Sequence, residues 1–474
     1  MKKLCLTGLL VCLFVLSVSI LTAADSPPNF VVFLADDLGW GDLACYGHPQ
    51  IKTPNLDAFA KQGVRFTQCY SACGVCSPSR SSILTGRTPY RNGVFRWIPE
   101  KHEVHLRTSE ITIAELLKDR RYTTCHVGKW HLNGYFNSPE HPQPSDHGFD
   151  HWFATQNNAG PTHKNPTNFV RNGKPVGLLE GYSAPLVAEE GIHWLRELRD
   201  PKKPFYLNIW THEPHLPIES DPQFMDLYPG DDVGLRQHHG NVTQLDHAFG
   251  KVMAALKELD LVDNTVVFFT SDNGPEGSGK PDLKNPGSQR DRTRGSTGGL
   301  RGRKRDDYEG GIRVAGMVRW PGQIQPGTIS KTPVIGSDIF ATMCEIADIP
   351  LPRDRVIDGA SMLPAFDNQP IKRTKPLYWR THISSPDSRV AVRIGDWKIV
   401  ADQSLKKFQL FNLKDDERET TDLAQKHADK FAEMKRTLLA MDAEVLADGP
   451  DWWKKEQPED RRRRAKKKQK RASK

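Results

Sequence analysis

Five short apolar runs in this chain each lead into residues able to do chemistry. NFVVFLA (29–35) runs into Asp36 and Asp37, and VRFTQCY (64–70) is followed by Cys73 and Cys76. YTTCHV (122–127) leads to Lys129 and His131, FYLNIW (205–210) to His212 and His215, and TVVFFTS (265–271) to Asp272 and Asn273. One polar turn after a strand is ordinary. Five of them, carrying acids, an amide, thiols, an ammonium and imidazoles, are hard to explain as ordinary turns and point to one shared site. Asp36, Asp37, Asp272 and Asn273 offer hard oxygen ligands, which suit Ca2+, with Mg2+ as the second choice. Either pair alone would pass as a cap or turn. Together, at two strand ends, they read as a metal site.

The stretch CGVCSPSRSSILTGR (73–87) admits several readings. C-x-x-C is the spacing of a redox dithiol. Pro78 suits the first turn of a helix, and SRSSILTG stops at Gly86. A group at Cys76 then meets free N–H groups at a helix start, which lowers a thiol pKa and attracts anions. Arg80, one turn on, offers a bidentate clamp for an oxyanion. A disulfide switch, half of a metal site and a single nucleophile all remain open on this stretch alone. Two nearby motifs fail. HEPH (212–215) is not H-E-x-x-H, and Pro214 breaks the helical face that zinc motif requires. GPEGSGKP (274–281) has a proline where a P-loop needs Ser or Thr.

Helical spacing over 53–63, 111–121 and 241–260 separates the apolar runs. Strands alternating with helices predict an α/β fold, a mostly parallel sheet sandwiched by helices. Ligands of such sheets bind beyond the carboxyl ends of the strands, where all five sets of polar residues fall. Residues 274–307 read as a long loop, and YEGGIRVAGMVRWPG (308–322) as a return into structure. From about 375, LYWRTHI, RVAVRIGDWKIVA and KFQLFNL alternate as antiparallel strands do, and 429–447 closes with a helix. The expected organisation is a catalytic domain over 25–370 and a smaller C-terminal subdomain, with an antiparallel sheet, over 371–455.

The two ends differ from the body. Lys2 and Lys3 precede an uncharged apolar stretch, and Thr22-Ala23-Ala24 supply a small-residue cleavage site, so 1–24 reads as a secretory signal peptide. The alternative is an uncleaved anchor, since about 20 apolar residues span a bilayer. Signal removal leaves six of the eight cysteines, too few for a disulfide scaffold in 474 residues. The net charge of +8 is misleading. Ten of the basic residues lie in the last 14 positions and two in the signal, so residues 25–460 hold 54 basic against 58 acidic side chains. The tail 456–474 reads as a basic, disordered end, either inert or a contact for polyanions. Export argues against nucleic acid, and an exported protein is expected in the periplasm or outside the cell.

CSPSRSSILTGR resembles the signature C-x-P-x-R…T-G-R of the formylglycine-dependent sulfatases. NFVVFLADDLGWGDLACYG, GKWHL, THEPH, TSDNGP and GLRGRKRDDYEGGIR resemble the other blocks of that family, in order, over roughly 29–320. Asn133 and Ala315 stand where other residues are commoner, away from the catalytic positions. The resemblance implies an alkaline-phosphatase-like fold and hydrolysis of a sulfate ester, as in arylsulfatases and N-acetylgalactosamine-6-sulfatases, with release of inorganic sulfate. It implies that Cys76 is oxidised to formylglycine (3-oxoalanine) by a formylglycine-generating enzyme. It assigns Asp36, Asp37, Asp272, Asn273 and converted Cys76 to a divalent cation, usually calcium. Arg80 would hold the aldehyde hydrate, while Lys129, His131, His212 and Lys304 would bind sulfate and move protons. One hydroxyl of the hydrate would attack sulfur and expel the alcohol, protonated by His212 or Lys304. The other, deprotonated by His131, would eject sulfate and restore the aldehyde.

A sulfated carbohydrate is the expected substrate. The alternatives are a phosphodiester or phosphonate monoester hydrolase of the same superfamily, and a non-catalytic polyanion-binding protein with unconverted Cys76. A thioredoxin-like redox protein would leave the other four strand ends unexplained.

Overall fold

The computed structural model describes residues 27–277, 294–382 and 387–453. The signal segment, the basic tail and part of the loop carrying GPEGSGKP lie outside the described residues.

Strands β1 (Asn29–Ala35), β2 (Val64–Tyr70), β3 (Thr123–Lys129), β4 (His151–Thr155), β5 (Val170–Arg171), β6 (Lys174–Pro175), β7 (Phe205–Trp210), β8 (Thr265–Ser271), β9 (Arg313–Arg319), β10 (Thr328–Ser330) and β11 (Val334–Ile335) form one large sheet. Its order is β10-β2-β9-β8-β1-β7-β3-β4-β5-β6, with β11 also beside β2. From β8 through β1, β7 and β3 to β4 every pairing is parallel. β9 runs antiparallel to both β8 and β2, so β2 points the same way as β8. The carboxyl ends of β1, β2, β3, β7 and β8 therefore share one edge.

The five apolar runs form strands because both sheet faces are covered. Phe30, Val32 and Leu34 of β1 join a cluster with Ile83 and Leu84 of the helix Cys76–Thr85 and with Ile339, Phe340 and Met343 of the helix Asp338–Ile346. Val31, Phe33 and Ala35 face the other way. They pack with Val187 of the helix Ser183–His193 and with Phe249 and Val252 of the helix Val233–Glu258. Side chains alternate along a strand, so an unbroken apolar run feeds two cores.

The predicted helix at 241–260 is longer in the structure. It begins at Val233, where the Asp232 carboxylate accepts a hydrogen bond from Leu235 N–H and caps the first turn. β4 was not anticipated as a strand; its five residues are all buried beside β3. A second sheet follows, β12 (Leu377–Arg380), β13 (Val390–Ile394), β14 (Trp397–Ala401) and β15 (Phe408–Asn412), antiparallel throughout. The helix Ala428–Asp448 packs on it. Trp379 of β12 packs at a tilt against Tyr70 of β2 and donates its indole N–H to the Ser71 carbonyl, tying this sheet to the segment that leads to Cys76.

Candidate active site

The strand ends bring every predicted site residue into one buried cluster. Lys129 Nζ lies 2.6 Å from Asp36 Oδ2, with both side chains fully buried. Lys304 Nζ lies 2.5 and 2.7 Å from the two Asp37 oxygens. Arg80 donates from Nε and Nη2 to Asp272 Oδ2 at 2.9 and 2.7 Å, and Nη2 is 3.4 Å from Asp36 Oδ2. Its Nη1 donates to the Lys129 carbonyl at 3.0 Å, and the guanidinium lies over Trp210. The sequence placed Arg80 as an anion clamp. In the structure its donors hold Asp272 and the end of β3, which orients the carboxylates.

Local backbone explains how these groups reach the site. Cys76 opens the helix Cys76–Thr85 and Pro78 sits in its first turn. Gly86 ends the helix at φ +68°, returning its N–H to the Ser82 carbonyl. Arg80 follows Cys76 by four residues, on the same helix face. Gly128, at φ +106°, lets β3 turn under Trp210: a Cβ there would sit 1.9 Å from the Trp210 carbonyl oxygen. Asp37 and His131 adopt φ +64° and +56°, left-handed values that are uncommon for non-glycine residues, though Asp and His tolerate them better than most.

The metal-binding atoms converge. Ligand atoms of Asp36, Asp37, Cys76 and His215 all lie within 4.8 Å of one another. Asp36 Oδ1 and Asn273 Oδ1 are buried without a hydrogen-bond partner among the described residues. Asn273 Nδ2 donates to Asp37 Oδ1 at 2.7 Å, so its carbonyl oxygen faces away from that bond. Unpaired buried oxygens next to carboxylates suit a hard divalent cation. His215 is the group that sequence reading left without a role; its Nε2 lies 3.6 Å from Asp37 Oδ2. The signal was the second histidine of THEPH. It becomes useful only because its N–H bonds back to the His212 carbonyl in a tight turn.

The electrostatics follow from burial and crowding. Burial would raise Asp36, but Lys129, His215, Arg80 and Lys304 outweigh it and hold that carboxyl well below its ordinary range. Burial and the Asp36 charge push Asp272 up to about 7, despite Arg80. Burial also raises the Cys76 thiol, against the pull of Lys129 and Lys304. Burial would lower Lys304, yet the Asp37 charge keeps it above its ordinary value.

Both catalytic histidine candidates are neutral, because burial and the nearby cations Lys129 and Arg80 hold them well below 6.5. Their tautomers follow from their partners. His131 Nε2 lies 3.0 Å from the Ile98 carbonyl, which only accepts, so Nε2 carries the proton and the unpartnered Nδ1 is a bare lone pair. Thr155 spends its hydroxyl proton on the Asn157 carbonyl at 2.7 Å, so it accepts from His212 Nε2–H at 2.8 Å. His212 Nδ1, also unpartnered, is likewise an acceptor.

Cys73 does not share this site. It is buried with its sulfur against the Arg380 carbonyl and the Thr381 hydroxyl, and no disulfide forms among the described residues.

The sulfatase family profile matches residues 28–349. The chain belongs to the sulfatase family. A second profile, N-sulphoglucosamine sulphohydrolase, C-terminal, matches residues 302–444. The chain is 34% identical over 403 residues to rat N-acetylgalactosamine-6-sulfatase, covering 79% of this chain and 71% of the relative. It is 32% identical over 406 residues to human arylsulfatase A, covering 79% and 75%. Among solved structures, Ps i-CgsB superposes with a TM-score of 0.78 at 27% identity, over 90% of this chain and 94% of that one. The phosphonate monoester hydrolase of Agrobacterium radiobacter shares the fold at a TM-score of 0.62 and 18% identity, over 88% of this chain and 96% of that one. This sulfatase is a sulfuric ester hydrolase with the alkaline phosphatase fold: a mostly parallel sheet between helices and a small antiparallel sheet beyond it. No described helix is long and apolar enough to cross a membrane.

Proposed function

We propose that this sulfatase is exported and removes sulfate from a sulfated carbohydrate, with Cys76 matured to formylglycine and a divalent cation, calcium before magnesium, held by Asp36, Asp37, Asp272, Asn273 and the converted Cys76. The observation that carries the reading is the convergence of Cys76 with carboxylates inside 4.8 Å, with two buried oxygens that have no hydrogen-bond partner among the described residues. His215 is a further candidate ligand, by its place in the same cluster. The cation would supply charge neutralisation for an anionic ester, and the converted Cys76 a nucleophilic oxygen. A sulfate ester repels ordinary nucleophiles, and Lys129, Lys304 and Arg80 set positive charge around it where more negative charge develops.

The tautomers divide the proton work. His131 Nδ1 accepts a proton, as a general base does. His212 Nδ1 is an acceptor too, so Lys304 is the donor to the departing alcohol. Carbohydrate as the substrate class is supported by the N-acetylgalactosamine-6-sulfatase relatives and by the Ps i-CgsB structure solved in complex with k-i-k-neocarrahexaose. A formylglycine-generating enzyme is the partner required for maturation.

Two measurements test the reading. Peptide mass spectrometry of natively produced protein should find Cys76 as the aldehyde or its hydrate; a peptide present only as thiol or disulfide sinks the formylglycine mechanism if the protein is active, and favours a non-catalytic polyanion binder if it is not. Sulfate release should exceed turnover of matched phosphate diesters and phosphonate monoesters; the reverse preference would make it a phosphoester or phosphonate hydrolase.

A further inference from the structure

The loop that follows β4 carries a set of polar atoms that the mechanism does not use. Gln156 Oε1, Asn157 Oδ1, Asn158 Oδ1 and both ring nitrogens of His163 are buried and have no hydrogen-bond partner among the described residues. Two of the amides are oriented by their other ends. Gln156 Nε2 donates to the carbonyls of Ile98 and Asn133, and Asn158 Nδ2 donates to that of Leu216. Their free oxygens are therefore acceptors in search of donors. Leaving such a group unpaired in a folded interior costs more than a hydrogen bond contributes, so these atoms need donors, from water or from a bound molecule, that the described residues do not supply.

The loop borders the catalytic cluster. The Gln156 carbonyl accepts from His131 N–H at 2.7 Å, and Thr155 before it holds His212. The His163 ring is fully buried, 5.7 Å from that of His212 and within electrostatic reach of His215, Asp36 and Lys129. Its backbone is pinned by Ser183 N–H on its carbonyl. A sulfuryl group offers acceptors only, and the cations already face it. Acceptors on this wall need hydroxyl or amide hydrogens instead. His163 is neutral, since burial pushes it down to about 3, so it presents one donor and one acceptor, as a hydroxyl does.

We propose that Gln156, Asn157, Asn158 and His163 form the wall that reads the hydroxyl or amide groups of the sulfated sugar, with His163 as its central contact. The assignment rests on the carbohydrate reading above and adds which residues select the sugar.

The test uses the full-length enzyme and two substrates: a saccharide sulfate that the wild type hydrolyses, and 4-nitrophenyl sulfate, which lacks hydroxyl groups. His163→Phe keeps the ring and removes both hydrogen-bonding atoms. It should lower kcat/KM for the saccharide about 10–100-fold, mostly through KM, and leave the aryl ester within about 2-fold. His163→Gln, which retains a donor and an acceptor, should recover part of the loss. Should the phenylalanine variant fail to fold, Asn157→Ala supplies the same comparison. An equal loss on both substrates assigns the wall to the sulfuryl group or to the fold and overturns the proposal. An unchanged saccharide rate makes His163 packing and overturns it too. A wild type that hydrolyses the aryl ester and no saccharide sulfate overturns the carbohydrate reading itself, and that failure is seen before any variant is made.

Discussion

Two of the buried-charge clusters among the described residues set lysine or arginine cations against carboxylates and can be compared directly. Beside the second sheet, Lys398 Nζ sits 2.9 Å from carboxylate oxygens of both Glu309 and Glu419, all three side chains fully buried. Tyr70 donates to the other Glu309 oxygen at 2.7 Å, and the Glu309 N–H bonds the second Glu419 oxygen at 2.7 Å. At the carboxyl edge of the large sheet, Arg80, Lys129 and Lys304 pair with Asp36, Asp37 and Asp272 at similar distances. The difference lies in what is left over. In the Lys398 network the ions face one another: Glu419 Oε1 makes no hydrogen bond among the described residues but lies 2.9 Å from Lys398 Nζ, and the network joins β2, β14 and the helix Glu309–Ile312. The edge cluster leaves Asp36 Oδ1, Asn273 Oδ1, His131 Nδ1 and His212 Nδ1 without hydrogen-bond partners among the described residues, and ligand atoms of Asp36, Asp37, Cys76 and His215 lie within 4.8 Å of one another. Buried charge by itself therefore says little about function, whereas convergent unpaired atoms beside a nucleophile say a good deal.

Breaking each cluster should give opposite phenotypes. Cys76→Ala should cut sulfate release by at least ~10⁴-fold while the thermal midpoint stays close to that of the wild type. A steep loss of stability in this variant would mean that the two clusters are not distinct in kind. Lys398→Ala should do the reverse. It strands two buried carboxylates and should cost about 3–5 kcal/mol in denaturant unfolding. Its residual folded fraction should keep kcat near wild type, and a selective loss of kcat would draw the second cluster into catalysis.

The smallest effect concerns a histidine outside both clusters. Burial against Trp130 pushes His147 down to about 4 from an ordinary 6.5. The unfolded chain takes up this proton below pH 6.5 and the folded chain only near 4. Stability is thus full above 6.5 and falls as the pH drops towards 4, at up to about 1.4 kcal/mol per pH unit. His147→Gln should flatten the stability–pH slope in that window by about one proton. An unchanged slope would show that the ring is already free to ionise in the folded protein.

How far the sequence reached can be judged residue by residue. The strand runs at 29–35, 205–210 and 265–271 matched the structure because both sheet faces are buried there, which demands unbroken apolar stretches; 64–70, nearer the sheet edge, matched with Arg65, Thr67 and Gln68 only half-buried. The membership of the edge cluster was also legible, since parallel strands deliver their carboxyl ends to one side. β4 escaped notice: HWFAT is short and mixed, and its strand character comes from pairing with β3. His215 escaped for a related reason, because its place beside Asp37 depends on the turn after His212. The pairing of Arg80 with Asp272 escaped because 192 residues separate them.

By itself, then, the sequence determined composition and order. It specified which strand ends carry acids, which carry imidazoles, and that Cys76 stands one helical turn before Arg80, because these depend on local periodicity and on the direction of parallel strands. Only the tertiary structure decided which atoms remain free. A hydrogen bond to Ile98 or Thr155 selects a histidine's tautomer, and an amide's far end selects which atom of Gln156 or Asn158 is left over. Both choices are made by partners distant in the chain, so they exist only once it has folded.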